Sequence, residues 1–104
     1  MPATEKPLSE RQKKHLRGLA HALRPLVRLG SAGITEAFLA ELEATLAHHE
    51  LIKVKVAAAT RAERNAAIET LKKGTGASLI AQIGNVAVLY RANPTTPRLV
   101  LPDA

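Results

Sequence analysis

The feature that most constrains the fold is a short apolar run that meets a pair of glycines just before a helix start. Residues 26–29 are mostly apolar, and the sequence Gly-Ser-Ala-Gly follows at positions 30–33. Glycine has no Cβ, so the backbone can turn sharply here and approach another chain closely. Thr35 is typical of a helix N-cap, and Ile34 and Leu39 have the spacing of a hydrophobic staple. The stretch therefore predicts a strand, a tight loop and a helix in direct succession.

The segment before this stretch predicts an amphipathic helix with a basic face. Ser9 and Gln12 have the spacing of a capping box, and Pro25 marks the end of the helix. Apolar residues recur at helical spacing on one face, namely Leu16, Leu19, Ala20 and Leu23. Basic residues recur at similar spacing on another face, namely Lys13, Lys14, Arg17, His21 and Arg24.

The remaining chain continues to alternate between helix and strand patterns. Residues 36–48 predict a helix with an acidic surface, and Thr60 with Glu63 predicts a capping box for a third helix that Gly74 ends. Residues 51–56 alternate between apolar and basic, which predicts a strand with Lys53 and Lys55 on its wet face. Two apolar runs, 79–83 and 86–90, flank Gly84-Asn85 and predict a tight hairpin.

This order predicts an α+β fold in two layers, arranged α-β-α-β-α-β-β. Parallel strands joined by helical crossovers, followed by an antiparallel hairpin, give a four-stranded mixed sheet packed with helices. The length of 104 residues suits one domain. We expect a flexible N-terminus over residues 1–7, a single domain over 8–92 and a proline-containing tail over 93–104.

The charge distribution predicts a polyanionic partner. The net charge is +6, and residues 1–30 carry five of these positive charges. The loop at 30–33, followed by a helix N-terminus, is suited to binding a phosphate. We predict contacts with nucleic acid from the loop residues Gly30, Ser31, Ala32 and Gly33 and from Arg28, Lys13, Lys14, Arg17, His21 and Arg24. Lys53, Lys55, Lys72 and Lys73 extend this prediction with weaker support.

Other classes of function find little support in the sequence. Cysteine is absent, and no nucleophile–base–acid set is visible, so we expect no enzyme. His48, His49 and Glu50 lack the H-E-x-x-H pattern and are better explained as a helix end, so we expect no metal and no other cofactor. The glycines after Lys72 and Lys73 do not match a phosphate-binding P-loop. No stretch predicts a membrane span or a signal peptide, and a cytoplasmic protein is expected.

Four blocks of the sequence together resemble a known family. They are residues 13–21, 29–36, 48–56 and 83–91. They are similar to the CRM domain, the chloroplast RNA splicing and ribosome maturation domain, in its stand-alone bacterial YhbY form. The resemblance implies an RNA-binding domain with a fold similar to the C-terminal domain of a bacterial translation initiation factor. It further implies association with precursors of the large ribosomal subunit, whereas plant relatives serve group II intron splicing.

The resemblance also maps the family's G-x-x-G loop onto residues 30–33. Members often carry a polar or basic residue inside the loop, whereas this chain has Ser31 and Ala32. The contact with RNA is therefore expected to use mainly the main chain. The expected partner is ribosomal RNA in a precursor of the large subunit, bound by a monomer without a membrane or a small-molecule substrate. The alternatives are a ribosome-associated factor that binds a protein, with charge serving only for steering, and a small hydrolase.

Overall fold

The computed structural model describes residues 8–30 and 33–103. It contains three helices and four strands in the order predicted from the sequence. Helix α1 spans Glu10–Ala20, α2 spans Glu36–His49 and α3 spans Arg61–Thr75. Strand β1 spans Pro25–Leu29, β2 spans Leu51–Val56, β3 spans Ser78–Ile83 and β4 spans Val86–Tyr90. The described part of the chain has no helix that is both long enough and apolar enough to span a membrane.

The strands form one mixed sheet in the order β1-β2-β4-β3. β1 and β2 are parallel, whereas β4 is antiparallel to both of its neighbours. The hairpin strand β4 therefore lies between β2 and β3, and the crossover through α3 passes over it. The α+β class, the element order and the mixed sheet are confirmed.

The two faces of the sheet support two separate hydrophobic clusters. On the first face, Ile52, Val54 and Val56 of β2 pack with apolar residues of α2 and α3. On the second face, Leu51 of β2 packs with Leu16 of α1 and with residues of β3 and β4. Helices therefore cover both faces, so the predicted two layers become three, with α1 on the face opposite α2 and α3. Alternation of side chains along β2 produces this division.

Helix α1 is shorter than predicted. It ends at Ala20 with His21 as C-cap, four residues before β1 begins at Pro25. Leu16 and Ala20 are buried as predicted, but Leu19 and Leu23 of the predicted apolar stripe are exposed. The Lys53 ammonium donates a hydrogen bond to the Leu23 carbonyl oxygen at 3.0 Å, which holds the linker between α1 and β1 in a non-helical path.

Two helix caps differ in detail from the prediction. The third helix continues past Gly74 and ends at Thr75, with Gly76 as C-cap in a left-handed conformation with φ of 75°. At its start, the Thr60 side chain accepts a hydrogen bond from the Glu63 N–H, as a capping box requires. The Glu63 side chain, however, accepts from the N–H of Ala59 instead of Thr60. The cap of α1 forms both predicted bonds between Ser9 and Gln12.

The segment after β4 lies against the second face of the sheet. Leu99 and Leu101 pack on the cluster that contains Leu16, and the Gln12 side chain donates a hydrogen bond to the Pro102 carbonyl at 3.0 Å. Val100 between them is exposed. This segment covers the part of the face near the start of β2 and leaves the end of β2 open.

Candidate nucleic-acid interface

Two cations lie side by side where β1 and β2 end. Arg28 and Lys55 are register partners on these parallel strands. Since Leu29 and Val56 are buried with α2 on the first face, alternation directs Arg28 and Lys55 to the second face. Like charges on neighbouring strands destabilise a sheet. A bound anion between the two side chains would remove this repulsion.

A second group of basic side chains lies on the same face of the sheet, near Lys53, which precedes Lys55 by two residues on β2. Arg17 and His21, at the end of α1, line a cleft together with Lys53 of β2. The Lys53 ammonium uses one donor on the Leu23 carbonyl and has others that can reach a ligand. The end of α1 and the ends of β1 and β2 therefore contribute to one basic surface, which we define as Arg17, His21, Arg28, Lys53 and Lys55.

The glycine loop extends from this surface. It follows Leu29 directly, and the Gly33 N–H donates a hydrogen bond to the Gly30 carbonyl at 3.1 Å. Gly33 has φ of +80°, a conformation that favours glycine, whereas Gly30 has open space around its Cα and no such restriction. Ser31 and Ala32 lie outside the described residues. Thr35 then caps α2 by accepting from the Phe38 N–H at 3.0 Å, as predicted.

Most carboxylates lie on the other side of the sheet. Of the acidic residues in the described ranges, Glu36, Glu41 and Glu43 belong to α2, and Glu63 and Glu69 belong to α3. Both helices pack against the first face. Among residues 8–30 and 33–103, no salt bridge involves a member of the basic surface. The positive potential of the second face is therefore available to a ligand.

The other predicted basic residues are divided among separate places. Lys13 pairs with Glu10 at 3.8 Å and shares a shallow cleft with Lys72, which itself pairs with Glu69 at 3.2 Å. Lys14 lies in an open groove beside Gly18 and Pro102. Arg24 belongs to the linker after α1 and not to the helix face predicted for it. Lys73 is exposed on α3, which covers the first face.

The carboxylate of Glu50 has a structural role that sequence analysis did not predict. It is fully buried and accepts hydrogen bonds from the backbone N–H groups of Asn93, Arg98 and Leu99 at 2.6 to 2.8 Å. Burial acts to raise the pKa of Glu50, but these bonds and the Arg98 charge outweigh it and lower the pKa. Its partners lie more than 40 positions away, so no local pattern could have identified them.

The neighbouring histidines do not build a metal centre with Glu50. The rings of His48 and His49 pack edge to face with centroids 4.6 Å apart. In the part of the chain that the structure describes, no group of three histidine or acidic side chains has the geometry to hold a metal ion. The segment is a helix end, as the sequence favoured, with Glu50 itself as C-cap at φ of 65°.

Comparisons with known proteins agree on one family. The model of the CRS1 / YhbY (CRM) domain matches residues 8–91. An RNA-binding protein of Haemophilus influenzae is 51% identical over 84 residues, which cover 81% of this chain and 85% of the relative. A protein of Bacillus subtilis, named a probable RNA-binding protein, is 34% identical over 91% of this chain and 99% of its own length.

A solved structure supports the fold independently. The solution structure of a hypothetical protein from Staphylococcus aureus superposes with a TM-score of 0.78 and 34% sequence identity. The match covers 92% of this chain and all of the other. The resemblance inferred from the four sequence blocks is confirmed.

Proposed function

This chain belongs to the CRS1 / YhbY (CRM) domain family, and on that premise we propose that it binds RNA through the basic surface and the glycine loop. Two relatives carry names that describe RNA binding and no reaction. The single observation that supports the proposal best is the pairing of Arg28 with Lys55 beside the loop. Two adjacent cations, neither of them paired with a carboxylate of the described residues, can neutralise phosphates of a sugar–phosphate chain.

The glycine loop complements these cations. Its backbone lies at the end of β1 and directly precedes the N-terminus of α2, where free N–H groups and the helix dipole favour an anion. In our proposal Gly30 and Gly33 shape the loop, and the main-chain N–H groups of Ser31 and Ala32 donate to one phosphate, since the Gly33 N–H already donates to the Gly30 carbonyl. Side chains of the basic surface then bind the phosphates that follow.

The bound nucleic acid is proposed to be ribosomal RNA in a precursor of the large subunit. The chain contains no tryptophan, one tyrosine and one phenylalanine, and both Tyr90 and Phe38 are buried. Stacking on phenylalanine, tyrosine or tryptophan, which single-strand binders commonly use, is therefore not offered by the described residues of this surface. RNA held through its backbone and shape fits the surface better. The proposal places the protein in the cytoplasm and requires one copy of the chain.

Crosslinking in cells, followed by sequencing of the attached RNA, tests the proposal. We expect reads concentrated on large-subunit ribosomal RNA and a loss of those reads in the Arg28→Glu variant. Lys73→Glu makes the same charge change on the opposite side of the sheet and should retain them. Reads spread over messenger RNA would reject the ribosomal target. Association with ribosomal particles that survives RNase treatment and the Arg28 substitution would favour the protein-binding alternative.

A further inference from the structure

A cleft between α1 and the sheet is partly enclosed and mainly apolar inside. Its volume is about 80 Å³. Ala20 of α1 and the strand residues Ala81, Ile83 and Val88 form its apolar walls. Arg17 and Lys53 line it as well and bring positive charge to an otherwise apolar space, and the His21 ring lies beside them. Phosphate binding explains the cations of this cleft but not its apolar walls.

We propose that this cleft receives one unpaired nucleobase of the bound RNA, a proposal that rests on the function proposed above. A base presents an apolar face to aliphatic side chains and polar atoms at its edge. Arg17 and Lys53 carry N–H donors that suit the acceptors on a base edge and the flanking phosphates. An apolar side chain from a protein partner would fill the walls but would offer no acceptor to Arg17 or to the donors of Lys53 that the Leu23 carbonyl does not use.

The strand register connects the cleft to the phosphate-binding part of the surface. Lys55 is the register partner of Val86, and Val86 is the partner of Ile83. One row across the sheet therefore runs from Arg28 through Lys55 to two aliphatic residues. Ile83 lies at the cleft with 64% of its surface exposed, which is high for a large apolar side chain. A nucleotide whose phosphate lies near Lys55 can thus direct its base toward Ile83.

The apolar walls of the cleft favour an extruded base over a paired one. The cleft is several times larger than the roughly 10 to 15 Å³ that a cavity needs to hold one water molecule, so the edge of a planar base can enter it. A paired base inside an A-form helix cannot reach an apolar cleft of this kind, because its faces are stacked. A bulged or looped nucleotide leaves the base stack at a small cost in free energy. The expected ligand is therefore structured RNA with a single unpaired residue.

Three RNA probes test the proposal: a fully paired duplex, the same duplex with one bulged uridine, and the same duplex with an abasic ribose at the bulge. We expect the protein to bind the bulged probe about tenfold more tightly than the other two, because only this probe has a base that can bury apolar surface against the walls of the cleft. Ala81→Leu fills the cleft without changing charge. It should abolish the preference and leave the affinity for the paired duplex unchanged.

A second cleft variant keeps the proposal testable if Ala81→Leu does not fold. Ile83→Ala removes apolar surface at the cleft and should also reduce the preference, whereas Val100→Ala trims an exposed valine of the C-terminal segment and should preserve it. Equal affinity for all three probes, or a preference that persists in both cleft variants, would overturn the base-binding proposal alone. Failure to bind any of the probes at low salt would overturn the RNA-binding function as well.

Discussion

Arg28 and Lys55 occupy matching positions on adjacent parallel strands, so two positive side chains share one face of the sheet. Their mutual repulsion lowers the stability of the free protein, because like charges on neighbouring strands are unfavourable. The magnitude is modest because Arg28 is exposed and Lys55 is only half-buried, a few tenths of a kcal/mol up to about 1 kcal/mol. A pair of this kind is best explained by a ligand that neutralises it.

Removing one charge of this pair is expected to weaken RNA binding without lowering the stability of the fold. We predict that Lys55→Gln leaves the melting temperature unchanged or slightly higher, while RNA affinity falls. If Lys55 contacts one phosphate, the slope of log affinity against log salt should become shallower by about 0.7 to 0.9. Thermal denaturation and titrations at several salt concentrations measure the two effects. A lower melting temperature with an unchanged salt slope would contradict a role in phosphate binding.

The two loop glycines are predicted to respond differently to substitution. Gly30 has space for a side chain and no positive φ, so Gly30→Asp should preserve stability and weaken RNA binding by placing an anion at the phosphate site. Gly33 has φ of +80°, so Gly33→Ala should lower the free energy of unfolding by about 1 kcal/mol. Urea denaturation and RNA titration of each variant test this prediction.

A matched control for Gly30→Asp is Ala44→Asp, which adds the same charge on the exposed surface of α2. It should leave RNA binding close to that of the unmodified protein, since α2 packs on the first face of the sheet. Equal losses of affinity in both variants would show that net charge alone, rather than the loop, determines binding.

The periodicity of the sequence was sufficient to predict the helices and strands and the face of β2 that carries Lys53 and Lys55. Alternation along residues 51–56 placed Lys53 and Lys55 on the exposed side of β2, and the capping signals located the starts of all three helices. These features depend on neighbours within a few positions. The structure adds the pairing and register of the strands, which place Arg28 next to Lys55.

Features that depend on distant partners could not be predicted. The end of α1 was expected near Pro25, but Lys53 binds the Leu23 carbonyl, a contact between residues 30 positions apart. Arg24 therefore lies outside the predicted helix face, whereas Arg17 and His21 line the cleft together with Lys53. The burial of Glu50 has the same origin, because its hydrogen-bond donors belong to the C-terminal segment.

Glu50 should make stability depend on acidic pH. Its pKa in the folded protein is lower than the ordinary value of 4.5, so the unfolded chain binds the proton more readily. The stabilisation is therefore complete above that ordinary value and is lost as the pH falls through the lower folded pKa. Glu50→Gln should cost about 2 kcal/mol at pH 7, since it removes the charge that accepts three backbone bonds.

Urea denaturation between pH 7 and about pH 3 measures this contribution as the difference between the unmodified protein and Glu50→Gln. The difference should be largest at neutral pH and shrink toward acid. Glu41→Gln, on the exposed surface of α2, provides the control and should leave the stability at pH 7 nearly unchanged. A difference that is independent of pH would mean that packing, and not the carboxylate charge, is responsible.

Charge reversal on α1 should distinguish residues that the sequence grouped together. Arg17 lines the cleft with His21 and Lys53, whereas Lys14 lies in the open groove beside Gly18. We predict that Arg17→Glu weakens RNA binding more than Lys14→Glu, and that the double variant has the shallowest salt dependence. Each phosphate contact that is lost should change the slope by about 0.7 to 0.9. Titrations of the three variants, with Lys73→Glu as the charge-matched control, give the ranking. Equal effects of Lys14→Glu and Arg17→Glu would indicate that α1 acts through net charge alone, because only Arg17 belongs to the basic surface that continues to Lys55.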